Sequence, residues 1–360
     1  MNWLIWRQHR KQFILLGVII GLYAALAIPT GMHFWDTYQD VLAACGSTNT
    51  CGQLTQDLLR SNWALNVNPS LPAGGFNLVI LLVLLVPFLL GMFVGVPLIA
   101  REYNERTNLL VWTRSVSRRK WLSIKLVWTL AGAALFAGIF TVLTTWWSQT
   151  GNALYLDRFD TIKFGLQGIA PVGYAVFAVS LGIALGTWLK RTMLAIGLTL
   201  SLLLVVQIMV STLVRPHYMT PQTHVTSILQ NKSASGDDNV AMSPQAPEGN
   251  AHWVVGGGLV DKTGQPMSWT RPPQGCVVNN PVQQAAAATS SATAVTGNTS
   301  RDGGPVVNLL CLGKLGYTWT AKYQPANRYW KFQGLEFGLY LALSLVPLGA
   351  TYWLVLRRDA

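Results

Sequence analysis

Six runs of apolar residues punctuate the chain: Phe13 to Pro29, Phe76 to Ile99, Leu122 to Trp146, Ile169 to Trp188, Met193 to Leu213 and Leu335 to Leu356. About 20 apolar residues at 1.5 Å rise cross the ~30 Å hydrocarbon core of a bilayer, so each run predicts a membrane-spanning helix. The first run is the shortest. It lacks a clear small-x-small cleavage site, and the stretch before it is long and Trp-rich, so it reads as a span rather than a cleaved signal peptide. Trp3, Leu4 and Trp6 are followed by Arg7, Arg10 and Lys11. Residues 1–12 therefore suit either a helix lying in the membrane interface or a plain charged anchor.

The predicted fold is an all-α membrane protein with six transmembrane helices. An interfacial helix comes first, and a large extracytoplasmic insertion separates helices 5 and 6. The expected divisions are the interfacial helix 1–12, helices 1–5 over 13–214 with a cytoplasmic loop at 100–121, the insertion 215–331, and helix 6 with the C-terminus over 332–360. The stretch from Thr30 to Gly75 reads as an outer loop. Within the insertion, residues 217–250 and 283–304 are rich in small and polar residues and read as loop. Trp253 to Asp261, with Gly256-Gly257-Gly258 in its middle, predicts a strand, a turn and a second strand. The insertion holds few large apolar residues, which argues against a strong core of its own.

Composition agrees with the spans and adds orientation. The 360 residues are 51% hydrophobic and 11% charged, against about 25% charged in soluble domains. Residues 1–12, 100–125, 189–192 and 357–360 hold 14 of the 26 Lys and Arg but only three of the 14 acids. A basic excess on one side places those segments, and both termini, in the cytoplasm. It also removes nucleic-acid binding as the reason for the net charge of +12, since no soluble basic domain is present. The four cysteines then fall outside, where disulfides persist. Pairing within each outer segment, Cys45 with Cys51 and Cys276 with Cys311, is expected.

The chain carries no P-loop, HExxH, GxSxG or CxxC. His9, His33, His217, His224 and His252 are scattered through a terminus and loops and read as surface residues rather than ligands, so no metal site and no catalytic residue is expected. Spans one to five hold no charge away from their ends, whereas ion-coupled transporters place ionisable groups within the membrane. Glu336 lies near the outer end of span six and reads either as an interfacial carboxylate paired with Arg328 or Lys331, or as a gating residue. Gln207 and Ser211 interrupt span five. A buried amide needs a partner, either on a neighbouring helix of the same chain or along a translocation path.

Between spans two and three lies a short basic loop that also holds Leu109, Leu110, Val111 and Trp112. On its residues alone, such a loop either lies on an anionic leaflet or docks a cytoplasmic protein. Arg101-Glu102, Thr107, Trp112 through Arg118, Trp121 and Lys125 resemble the loop after the second span of type-2 ABC transporter permeases, in the form common in actinobacteria. Arg106 departs from that pattern, which has Gly there. Trp6 to Arg10 is similar to the family's elbow helix. Gly186 to Thr192 with Ala195 is similar to its fourth-to-fifth hairpin. Tyr323 to Gln333 is similar to the run leading into the last span, with Lys331 where Pro is usual.

The resemblance implies an ABC exporter in which two copies of this chain, as a homodimer in a bacterial plasma membrane, join two ATPase subunits. ATP and Mg would be bound by the partner ATPase, with no cofactor in this chain, which is not an enzyme by itself. Coupling to the ATPase would run through Arg101, Glu102, Glu105, Thr107, Arg114, Ser115 and Arg118. Spans two and five would line the central path, bringing Gln207, Ser211 and Glu336 into consideration. A hydrophobic or amphipathic drug, lipid or peptide would be the substrate. The alternative is a non-transporting sensor or scaffold whose outer segment binds a ligand.

Overall fold

The structure is a computed structural model describing residues 2–45, 85–104, 117–149, 158–159, 161–229, 252–268, 273–278, 294–296 and 306–357. It divides into a helical unit, Met1–Tyr218 with Tyr329–Ala360, and a second unit, Met219–Arg328.

In the helical unit, α1 runs unbroken over Asn2–Cys45. No break separates residues 1–12 from the span that follows. The stretch expected to be a loop from Thr30 is helical to Cys45, because neither Gly nor Pro occurs after Gly31 to stop it. Next, α2 has helical residues 85–90, a π turn at Gly91–Gly95 and a last segment Pro97–Asn104. Then follow α3 (Arg118–Trp147), α4 (Ala170–Leu189), α5 (Thr192–Met209) and α6 (Tyr329–Arg357). A π turn, Val210–Val214, and a short 3-10 turn, Arg215–His217, extend α5.

Among the described residues, five helical stretches are long and apolar enough to cross a membrane: Ile14–Asp40, Arg119–Trp147, Ala170–Leu189, Thr192–His217 and Ala326–Arg357. The second expected span appears as the shorter apolar helix Leu85–Ala100. Residues 76–84, which the sequence assigns to the same span, lie outside the described residues.

Helix α4 is the hub. It packs against α2, α3, α5 and α6, and most of its length is buried. Its seam with α2 is made of glycines. A Cβ built on Gly95 would stand 2.7 Å from the Val179 carbonyl oxygen, and one on Gly186 2.5 Å from that of Val96. A Cβ on Gly182 would come closer still to the Gly91 carbonyl oxygen, and one on Gly91 would stand 2.9 Å from the Ala178 carbonyl oxygen. Four-residue spacing puts each glycine pair on one helix face, and without side chains the backbones approach to van der Waals contact, which drives helix association where no hydrophobic effect operates. Polar ties join the other helices. Tyr23 and Thr144 link α1 to α3 through their hydroxyls at 3.0 Å, and Ser123 and Tyr352 link α3 to α6 at 2.7 Å.

The second unit corrects the expectation of a weak core. Ile228, Leu259, Val307, Leu309, Leu312 and Trp319 are buried together with Cys276. Three strands, β1 (Gln222–Ser227), β2 (Trp253–Val260) and β6 (Thr318–Gln324), form an antiparallel sheet in the order β1-β6-β2. Short β3 (Val277–Val278), β4 (Ala294–Thr296) and β5 (Val306–Asn308) form another, in the order β3-β5-β4.

The glycine run expected to turn is extended instead. Gly256, Gly257 and Gly258 pair with Lys322, Ala321 and Thr320 of β6. A partner strand satisfies their backbone groups, which overrides the turn preference of glycine. The turn lies just beyond, where Asp261 Oδ1 accepts from the Thr263 and Gln265 N–H groups at 2.8 and 2.9 Å and Gly264 takes a φ of +80°. The Cys276–Cys311 disulfide is formed, with Cα atoms 5.4 Å apart.

Candidate functional site

Among the described residues, the helical unit buries an ion pair whose partners stand 121 residues apart in the sequence. Arg215, just past the π turn of α5, is 1% exposed, and Glu336, two turns into α6, is 0% exposed. Nε donates to Oε2 at 2.9 Å and Nη2 to Oε1 at 2.8 Å, a bidentate fork. The Tyr174 hydroxyl of α4 also donates to Oε1. The guanidinium lies 4.2 Å from the centre of the Phe164 ring, a cation–π contact strengthened by the loss of water. Around it Phe159 meets Phe164, Tyr329 and Phe332, with ring centres 5.5–6.1 Å apart. Arg215 Nη1 and the Tyr218 hydroxyl are buried with no hydrogen-bond partner among the described residues.

One turn of α6 beyond Glu336, the Tyr340 hydroxyl donates to Gln207 Oε1 of α5 at 2.8 Å. The Tyr340 ring packs edge-on against Tyr174, centres 4.6 Å apart. Between α2, α4, α5 and α6, Phe88, Tyr174, Phe177, Leu203, Gln207 and Tyr340 line a small cavity of about 30 Å³, room for about two waters. A larger, wide-open groove lies along α3, lined by Thr141, Val142, Thr145, Trp146, Ile169 and Trp330.

The start of α4 is held from α6. Gln333 is fully buried. Its Oε1 accepts the N–H of Ile169 at 3.1 Å and of Ala170 at 2.8 Å, and its Nε2 donates to the Phe164 carbonyl and the Tyr329 hydroxyl at 3.0 and 3.1 Å. Every donor and acceptor of the amide is used.

Glu336 is buried, and its cation is Arg215 rather than Arg328 or Lys331. Arg328 instead donates to the Thr220 carbonyl at 2.7 Å and to Gln324 Oε1 at 2.8 Å. Gln207 bonds across to α6. Ser211 sits buried in the π turn, its hydroxyl bonded to the Ile208 carbonyl at 3.0 Å. Arg101 and Glu102 lie on the last segment of α2, and Arg118 opens α3 after the N-cap Ser117. Glu105, Thr107, Arg114 and Ser115 lie outside the described residues, as does Cys51, the expected partner of Cys45. The sequence alone assigns no role to Arg215 or Gln333. The signal is present in part: Arg215 ends one apolar run as Glu336 enters another, opposite charges at matching ends of two spans.

Several long apolar helices, polar ties between them and a buried ion pair near one end define a membrane-embedded helical protein. The chain matches the ABC-2 membrane transporter related family over residues 17–215 and belongs to it. No curated protein and no solved structure matches the chain.

Proposed function

We propose that this chain is the permease subunit of an ATP-driven exporter. The observation that carries the reading is the family match over residues 17–215, which takes in the later part of α1 and all of α2 to α5. In this reading two permease chains and two ATPase subunits assemble in a bacterial plasma membrane. The chain crosses the membrane six times, both termini are cytoplasmic and the insertion is extracytoplasmic. ATP and Mg act on the partner. The cytoplasmic stretch 100–121, with Arg101, Glu102, Glu105, Thr107, Arg114, Ser115 and Arg118, receives the motion. The substrate is hydrophobic or amphipathic, in keeping with the apolar groove along α3.

Gentle purification from the native membrane tests the assembly. A roughly stoichiometric ATPase subunit that hydrolyses ATP supports the reading, and a partner-free oligomer without hydrolysis overturns it. Glu105→Lys with Arg118→Glu tests the loop: hydrolysis is expected to uncouple from transport while the protein still folds. Unchanged transport removes the coupling assignment. The independent core of the second unit favours one further reading, a membrane sensor or scaffold whose insertion binds a ligand. A partner-free result would turn attention to it.

A further inference from the structure

The geometry points to a fixed pin at one end of α5 with a hinge directly beside it. We infer that Arg215, Glu336 and Tyr174 stay joined while the rest of α5 moves, and that the movement is taken up in the π turn Val210–Val214.

The pin follows from burial. Both ions are almost fully removed from solvent, two charge-assisted hydrogen bonds join them, a third donor comes from α4, and an aromatic ring covers the guanidinium. Attraction between charges is least screened where water is excluded. Parting them strands two charges without solvent, which disfavours an element meant to open in every cycle. Three helices meet at this one point.

The hinge follows from the backbone. Directly before Arg215 the helix changes from α to π pairing over Val210–Val214, a local widening that recurs at functional sites and kinks. The body of α5 is weakly held. Only Ala195, Thr199 and Leu203 are buried along Thr192–Met209, whereas Leu204, Val205, Ile208 and Leu213 are exposed. Ahead of the π turn, the neutral hydrogen bond from Tyr340 of α6 to Gln207 must part as α5 tilts; it is weaker than the charge-assisted fork at Arg215. A helix fastened at its end, loosened one turn away and lightly packed beyond can tilt as a lever. Arg215 and Glu336 also flank Met219–Arg328 in sequence. The points where the chain leaves and re-enters the helical unit therefore keep one spacing whatever the tilt of α5.

The bending rests on the transporter reading; the pin does not. Two measurements separate them. The first is a thermal-unfolding cycle on the purified full-length chain with Arg215→Met, Glu336→Gln and the double variant. Each single variant should melt several degrees lower, and the double should recover most of the loss, because no unpaired charge remains. If the singles do not fold, recovery in the double and a lowered midpoint for Tyr174→Phe carry the test. A single Glu336→Gln that melts like the parent overturns the pin.

The second measurement uses ketoxime spin labels on non-canonical residues at exposed positions, which leaves the cysteines untouched. The pair 217 and 335, on the far side of the π turn, reports across the pin; the pair 205 and 345 reports on the lever. In the ATPase complex, nucleotide should shift the 205–345 distance and leave 217–335 unchanged. A shift at 217–335, or no shift at 205–345, overturns the lever. Absence of any ATPase complex would sink the transporter reading, and the lever with it, and the melting cycle would then decide the pin by itself.

Discussion

Gln333 on α6 accepts the backbone N–H of Ala170 at 2.8 Å and so closes the first turn of α4 from a neighbouring helix. The N–H groups that open a helix have no partner within it, and α4 offers no side-chain cap of its own. Gln333→Leu removes four hydrogen bonds and leaves the Ala170 N–H and the Phe164 carbonyl buried without that partner. The expected cost is on the order of 2–3 kcal/mol, since buried unsatisfied groups cost about 1–3 kcal/mol each and part of the loss relaxes. A thermal-shift measurement in detergent checks it, and a midpoint within one degree of the parent contradicts it.

The seam between α2 and α4 predicts a sharp contrast between glycines. Gly182→Val adds carbon where the Gly91 carbonyl and the Val96 N–H already stand. Overpacking of this kind costs about 1–3 kcal/mol or more. Gly138→Val adds the same atoms where nothing lies within 4 Å. Size-exclusion profiles after expression should show loss of the monodisperse peak for the first variant alone.

In the insertion, Asp261 gives a pH prediction with a definite sign. The Thr263 hydroxyl, 2.6 Å away, and the Gln265 N–H hold the exposed carboxyl below its ordinary value of 3.8. A group whose pKa is lowered by folding stabilises the fold above its unfolded value, and that contribution is lost as pH falls through the folded value. Amide hydrogen exchange in the turn, compared with Asp261→Asn, reads this directly. The extra protection of the parent should be complete between pH 7 and pH 5 and should shrink below about pH 4, where the two chains converge. A difference that grows as pH falls would contradict the assignment.

Cys276 and Cys311 tie the 3-10 turn Gln274–Cys276 to the short helix Leu309–Leu315. Replacing both with serine should destabilise this unit by about 2–4 kcal/mol, the usual range for a disulfide closing a loop. Limited proteolysis reads the result: cleavage within 219–328 should accelerate while the helical unit stays intact. Equal rates with and without the disulfide would argue against it.

Much of the helical unit was legible because its signal is local. A run such as Met193 to Leu213 is apolar along its length, and no partner is needed to see it. The family likeness was legible from short motifs in the right order. What escaped depended on a neighbour far along the chain. Arg215 looked like the first residue of a soluble segment because charge at the end of a span ordinarily snorkels to water; only the position of Glu336, 121 residues later, makes burial tolerable. Gln333 sat inside a recognised motif, yet its role appears only once α4 starts beside it. Gly256 to Gly258 read as a turn because glycine permits one, and β6 decides otherwise. Helix α1 outlasted its apolar run because hydropathy marks where a helix meets lipid, not where its hydrogen bonds end.

The glycine seam has one more consequence. The distance between α2 and α4 is set by atoms that are missing, so it behaves as a ruler with a single graduation. Exposed positions such as Val127 or Leu345 can trade one apolar side chain for another at little cost. Gly95 and Gly186 have no such latitude: every alternative residue is longer than the gap. Sequence drift in this protein should therefore be generous around the rim of the helical unit and nearly frozen along one narrow line through its centre.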